Sequence, residues 1–166
     1  MSLPDLAAVL WRQREVIEQL AYRLECEQLL MASGRTARLG QSISDVEAVA
    51  DRLQVLEMQR AEAADRVAAE LGLPSGSGLA EIAGSVQPPW TEVLLEHRTA
   101  LLTLTAELKL LADSTRSLAE GGMAALDTAL ASLGGGTSGP ASTGYNAHGR
   151  VDAVAGRMPL VVDRVL

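Results

Sequence analysis

Few side chains in this sequence could carry catalysis or hold a metal. A carboxylate-bridged metal pair inside a helical bundle needs Glu-x-x-His motifs, but Leu94 stands three residues before His97. Tyr145 has the same position relative to His148. Cys26 is the only cysteine, which excludes a disulfide within the chain and a metal site built from several cysteines. We therefore predict no catalytic residues, no metal, no cofactor and no enzymatic activity.

Phosphate binding has equally little support. The stretch GSGLAEIAG, residues 76–84, has two glycines of a dinucleotide-binding turn, but Glu81 occupies the third glycine position. No P-loop motif occurs, and the only lysine, Lys109, lies within a helical pattern. The net charge of -7 repels phosphate backbones, so we predict no nucleic-acid partner.

The apolar residues that must build the core are aliphatic, because the chain has no phenylalanine and only two tryptophans and two tyrosines. Stepping alternately by three and four residues finds three long apolar seams, which predict three long packed helices. His97 falls on the third seam, where we expect a hydrogen-bonded polar residue. The seams are Leu3, Leu6, Leu10, Gln13, Ile17, Leu20, Leu24, Glu27 and Met31; Leu39, Ile43, Val46, Val49, Leu53, Leu56, Arg60, Ala63 and Val67; and Leu94, His97, Leu101, Leu104, Leu108, Leu111, Thr115 and Leu118.

Glycine and proline mark the boundaries between these helices. Ser33-Gly34 ends the first, a loop follows the second at residues 72–78, and residues 79–86 suit a short two-turn helix. Pro88-Pro89 then precedes the third long helix. The predicted fold is all-α: an elongated antiparallel bundle of three long helices over residues 1–134. Residues 135–166 are predicted to form a flexible, Gly/Ser-rich tail that carries a Tyr-x-x-x-Gly motif at 145–149.

Gly121-Gly122 interrupts the third helical pattern. Because glycine weakens a helix interior by about 1 kcal/mol relative to alanine, we expect a kink, a break or a close backbone contact there. Beyond it, Met123, Leu126, Leu130 and Leu133 form an apolar stripe. Two interpretations stay open: the stripe closes the bundle core, or it remains exposed for a partner helix.

The chain has no features of membrane insertion or secretion. No apolar run of about 18 residues occurs, and the N-terminus lacks the basic-then-apolar order of a signal peptide. We therefore expect a cytoplasmic protein that is not inserted in a membrane.

The order of these segments resembles the FlgN-type flagellar export chaperones. The resemblance rests on the first helix LWRQREVIEQLAYRLECEQLL, the second helix closing in LGLP, the third helix that starts at PWTEVLLEH, and the GYNAHGR of the tail. It covers about residues 10–150. Asp113, Ser114 and Ser117 stand where many family members have asparagines, so the hydrogen bonding of that region cannot be carried over.

The resemblance implies a chaperone that binds the terminal helices of hook-associated proteins, the filament junction components, and brings them to the flagellar export gate. Tyr145 and Gly149 match the tail motif associated with docking to the gate. The residues assigned to client binding are Leu111, Leu118, Met123, Leu126, Leu130 and Leu133.

An alternative function stays open, since leucine seams occur in any coiled coil. A structural coiled-coil adaptor or scaffold without a client of its own would have the same pattern over the first two helices. The sequence also leaves open whether the chain forms a homodimer when free of client, and which hook-associated protein is the client.

Overall fold

The architecture is all-α, as predicted. The computed structural model describes residues 3–133, and within them the chain forms four helices and a short 3-10 turn at Thr36–Arg38. The predicted tail, residues 135–166, lies outside the described residues. The helices are α1, Leu3–Ala32; α2, Leu39–Glu70; α3, Leu79–Gly84; and α4, Trp90–Leu133.

Helices α1 and α2 form an antiparallel hairpin. The Arg52 guanidinium donates to the Gln19 side chain at 3.3 Å, and Arg23 pairs with Asp45 at 3.2 Å. As the residue number rises along α1, that of its partner on α2 falls, which defines the antiparallel direction.

Helices α1 and α4 run parallel in a fixed register. Arg14 contacts His97, and Gln28 donates to the Leu111 carbonyl. Both pairs are 83 residues apart along the chain. Helix α1 approaches α2 and α4 closely along its length, while α3 packs mainly on α4. The three long helices are thus connected up-down-up, with α1 packed against both of the others.

The predicted seams form the core. Leu10, Leu20, Leu94 and Leu101 are all fully buried. Some predicted seam residues lie at the edge of the core and are only partly buried: Leu3, Leu53, Leu56, Leu104 and Leu111. The fully or nearly fully buried apolar residues of the long helices include Leu6, Leu10, Val16, Ile17, Leu20, Leu24, Val46, Val49, Ala63, Ala64, Val67, Ala68, Leu94, Leu101 and Leu108.

A polar layer interrupts this aliphatic core where the seams carry Gln13 and Arg60. Arg60 is 1% exposed, and its Nε lies 3.2 Å from both carboxylate oxygens of Glu57. The Gln13 amide also donates to Glu57. Glu57 and Arg60 both lie on α2, so this ion pair moves with the helix, and removing either partner would leave a charge uncompensated at a cost of about 3 to 5 kcal/mol. A slip of α2 along α1 would instead break the Gln13–Glu57 hydrogen bond, the contact of this layer that joins the two helices.

Glycines with left-handed backbones end α1 and α2. Gly34 has φ +67° and Gly72 has φ +73°, a region that glycine enters without steric cost. After Gly34, the Arg35 N–H reaches back to the Leu30 carbonyl at 3.0 Å, and Leu73 makes the equivalent bond after Gly72. Both ends have the Schellman hydrogen-bond pattern, which reverses the chain sharply.

The expected break or close contact at Gly121-Gly122 is wrong. Helix α4 continues through both glycines to Leu133. A Cβ added at either position would meet nothing within 4 Å, so neither glycine allows a close approach within the described chain.

A pair of matched leucine substitutions tests this core. Leu20→Ala removes a fully buried side chain and is expected to lower the free energy of unfolding by about 2 to 5 kcal/mol. Leu126→Ala, on the exposed part of α4, is the control and should change it by about 0.5 kcal/mol or less. Urea unfolding followed by circular dichroism measures both, and equal losses would contradict the core described here.

Candidate functional site

Helix α4 runs well past the other two long helices. Gln28 donates to the Thr115 hydroxyl at 3.0 Å, and Thr115 is the last buried residue of α4 among those described. Every described side chain from Arg116 to Ala131 is exposed. We call residues 116–133 of α4 the extension; at about 1.5 Å per residue it is about 27 Å long.

The extension carries large apolar side chains that the bundle does not cover. Leu118 is 41% exposed, Met123 61%, Leu126 59% and Leu130 57%. The side chain of Leu133, the last residue of α4, lies outside what the structure describes. Leu111 differs from these, since it packs partly buried against the core at the end of the bundle. The predicted client-binding residues therefore begin at the bundle edge and continue along the uncovered helix.

The extension is a weak helix by itself. Gly121 and Gly122 each cost a helix interior about 1 kcal/mol relative to alanine, and the 18 residues of the extension are only slightly more than the roughly 12 to 15 below which isolated helices are marginal in water. No described part of the chain packs on it. A partner that covered its leucines would stabilise both the helix and the contact.

His97 lies at the junction of α1 and α4, in a seam as predicted. It is 2% exposed and meets the Trp11 ring edge to face, with 5.0 Å between ring centroids. The Arg14 guanidinium stacks 4.4 Å from the Trp11 ring centre, and its Nη1 lies 3.5 Å from the His97 Nδ1. Burial, and then the charge of Arg14, lower the pKa of His97 below its usual value. Because a guanidinium can only donate, the contact with Arg14 fits an imidazole that accepts at Nδ1.

Nothing in the described residues gathers metal ligands. No group of three or more His, Cys, Asp or Glu side chains within residues 3–133 could hold an ion. Cys26 is half-buried beside Leu29 and Leu30 on α1. None of the described helices is both long and apolar enough to cross a membrane.

Tyr145 and Gly149, the predicted gate-docking residues, lie outside the described residues. Sequence reasoning missed two residues that position the extension. Gln28 hydrogen-bonds α4 at Leu111 and Thr115, next to where the extension begins, and Trp11 packs on His97. Both lie off the apolar seam, so the periodicity that located the core gave no signal for them.

The fold and the extension define a helical-bundle protein in which the end of one long helix is left uncovered by residues 3–133. The family model described as FlgN protein matches residues 1–153. The chain therefore belongs to the FlgN family, a family of flagellar export chaperones. No curated protein matches the chain. No solved structure matches it either.

The buried histidine predicts a pH dependence of stability. Since the pKa of His97 is lower in the folded chain, the unfolded chain binds a proton more readily, and stability falls as the pH drops through the ordinary histidine pKa of about 6.5. We expect His97→Gln to reduce the slope of stability against pH between about pH 7.5 and 5.5. His148→Gln, at the other histidine, is the control and should retain the slope. An unchanged slope in the His97 variant would show that the imidazole titrates normally.

Proposed function

We propose that this chain holds the terminal helices of hook-associated proteins on the extension of α4 and delivers them to the flagellar export gate from the cytoplasm. The observation that supports this most directly is the exposure of Met123, Leu126 and Leu130 on a helix that no described segment covers. Family membership supports the export role. The client and the gate are our inference.

The physical demand on such a chaperone matches the extension. Client helices that pack together in the assembled filament expose apolar faces beforehand, and these need a removable cover. A helix laid along the extension would meet leucines that are already more than half exposed, and fully burying a leucine side chain contributes about 1.5 to 3 kcal/mol. Helix-against-helix binding of this kind uses anchors three and four residues apart, the spacing of Met123, Leu126 and Leu130.

The glycine pair supports reversible capture. A helix weakened by Gly121 and Gly122 gains order when a client covers it, so part of the contact energy is spent on ordering. The client then binds the extension less tightly than the buried apolar area alone would predict. A cargo that must be released at the export apparatus needs that property.

Client capture depends on the exposed leucines if the proposal is correct. Leu126→Ser combined with Leu130→Ser should weaken capture by about a hundredfold or more, because two anchors lose their burial. The melting temperature of the bundle should barely change. Binding of a hook-associated protein is measured by co-purification and calorimetry.

The matched control uses two exposed leucines on the bundle part of the same helix. Leu95 is 42% exposed and Leu110 is 72% exposed, and replacing both by serine should leave capture intact. Equal losses in the two double variants would contradict the extension as the client site. No capture of any hook-associated protein by the wild-type chain would favour the adaptor alternative.

Delivery to the export gate is proposed to use Tyr145 with Gly149. A tyrosine offers a large, stiff, amphipathic anchor, so Tyr145→Ala should weaken gate binding by roughly 2 kcal/mol, about thirtyfold. Bundle stability and client capture should be unchanged. Surface plasmon resonance with the gate protein measures the first effect, and a loss of client capture instead would place Tyr145 in the client site.

A further inference from the structure

A row of acidic residues borders the apolar stripe of the extension. Asp113, Glu120 and Asp127 are spaced seven residues apart on α4, and all three are exposed. At that spacing residues drift by only about 20° per step around a helix, so the three carboxylates share one edge. Arg116 is the only basic residue between positions 112 and 133. The surface is therefore apolar along one line and acidic beside it.

The C-terminal residues 150–166 carry the complementary pattern; we call them the terminal segment. Arg150, Arg157 and Arg164 are also seven residues apart. Between them, apolar residues recur alternately at three and four residues, the spacing of a heptad seam. These residues are Val151, Val154, Met158, Val161 and Val165.

We propose that the terminal segment docks on the extension of its own chain, its arginines against the acidic row and its valines against the leucines. In a parallel pair of helices, a charged residue that directly precedes a seam residue on one helix lies close to a charged residue that directly follows a seam residue on the other helix. Arg157 precedes Met158 in the terminal segment, and Asp127 follows Leu126 on the extension. The two patterns therefore match in the parallel orientation.

The linker between the extension and the terminal segment is long enough for the proposed docking. A parallel arrangement requires the chain to return from Leu133 to the start of the extension, about 27 Å away. Residues 134–149 supply 16 residues rich in small side chains, and a flexible linker of that length has a root-mean-square span of roughly 20 to 24 Å. The terminal segment can therefore reach the extension of its own chain.

A second copy of the chain is a poorer occupant. Two extensions packed antiparallel would place acidic edge against acidic edge, which is unfavourable, and each has only Arg116 to offset Glu120 and Asp127. The terminal segment itself contains three arginines and only two aspartates, so it can offer basic side chains to the acidic edge of the extension. Charge complementarity thus favours the chain's own terminus.

The sequence also allows a client helix to displace the terminal segment from the extension. Pro159 lies inside the terminal segment, and a proline in a helix interior costs about 3 kcal/mol. An uninterrupted client helix would compete successfully for the same leucines. Docking of the terminal segment would then keep the extension covered until a client arrives, a consequence that rests on the proposed function.

Paramagnetic labelling tests the docking in the full-length chain. With Cys26 replaced by serine, a nitroxide at Gly156→Cys should broaden the amide signals of residues 116–131. Mixing labelled chain with isotope-enriched unlabelled chain separates contacts within one molecule from those between molecules. Absence of broadening, or broadening only in the mixed sample, would overturn the proposal.

Charge reversal supplies the matched variants. Arg150→Glu, Arg157→Glu and Arg164→Glu together should abolish the broadening, and adding Glu120→Arg and Asp127→Arg should restore it. Broadening that survives the triple reversal would contradict the charge pairing on which the proposal depends.

A client assay separates this inference from the proposed function. The triple reversal should tighten binding of a hook-associated terminal-helix peptide about fivefold, as expected if the segment occupies the extension about four-fifths of the time. Broadening without any peptide binding would leave the docking standing while rejecting the client site. Unchanged peptide affinity with intact binding would reject competition at that site.

Discussion

The parallel register between α1 and α4 is the constraint on which the arrangement depends. It is held at two levels, by Arg14 against His97 and by Gln28 against the Leu111 carbonyl, each with an offset of 83 residues along the chain. Since α1 has 30 residues and α4 has 44, this offset determines how much of α4 is left uncovered. A shift by one heptad would bury Leu118 or expose Thr115, and the extension would change length accordingly.

Aliphatic periodicity predicted most of this fold. Most buried residues of α1 and the buried residues of α4 follow the stepping of three and four, and even the polar positions Gln13, Arg60 and His97 lie where their seams place them. Periodicity records which residues face a core, because burial of apolar area repeats with the helix turn. It carries no information on side contacts such as Gln28 with Thr115, which depend on the relative placement of two distant helices.

The glycine pair shows the limit of local propensity. Two glycines in succession predict an interruption, yet α4 passes through them with no close neighbour from the described part of the chain. Propensity is a preference of about 1 kcal/mol per residue, too small to stop a helix that flanking turns continue. The same energy is large enough to matter for an uncovered helix, so the glycines affect the strength of the extension rather than its path. Whether the stripe beyond them was core or surface could not be read from the sequence, because both cases produce the same apolar spacing.

The up-down-up connection also orders the events of synthesis. Contacts between α1 and α2 join residues that are neighbours across a short turn, so this hairpin can form while the rest of the chain is still being made. Contacts between α1 and α4 span 83 residues and must wait for α4. The α1–α2 hairpin can therefore form first, with the α4-facing side of α1 uncovered until α4 docks. The bundle that supports the longest helix is therefore complete only after the last of its helices has been made.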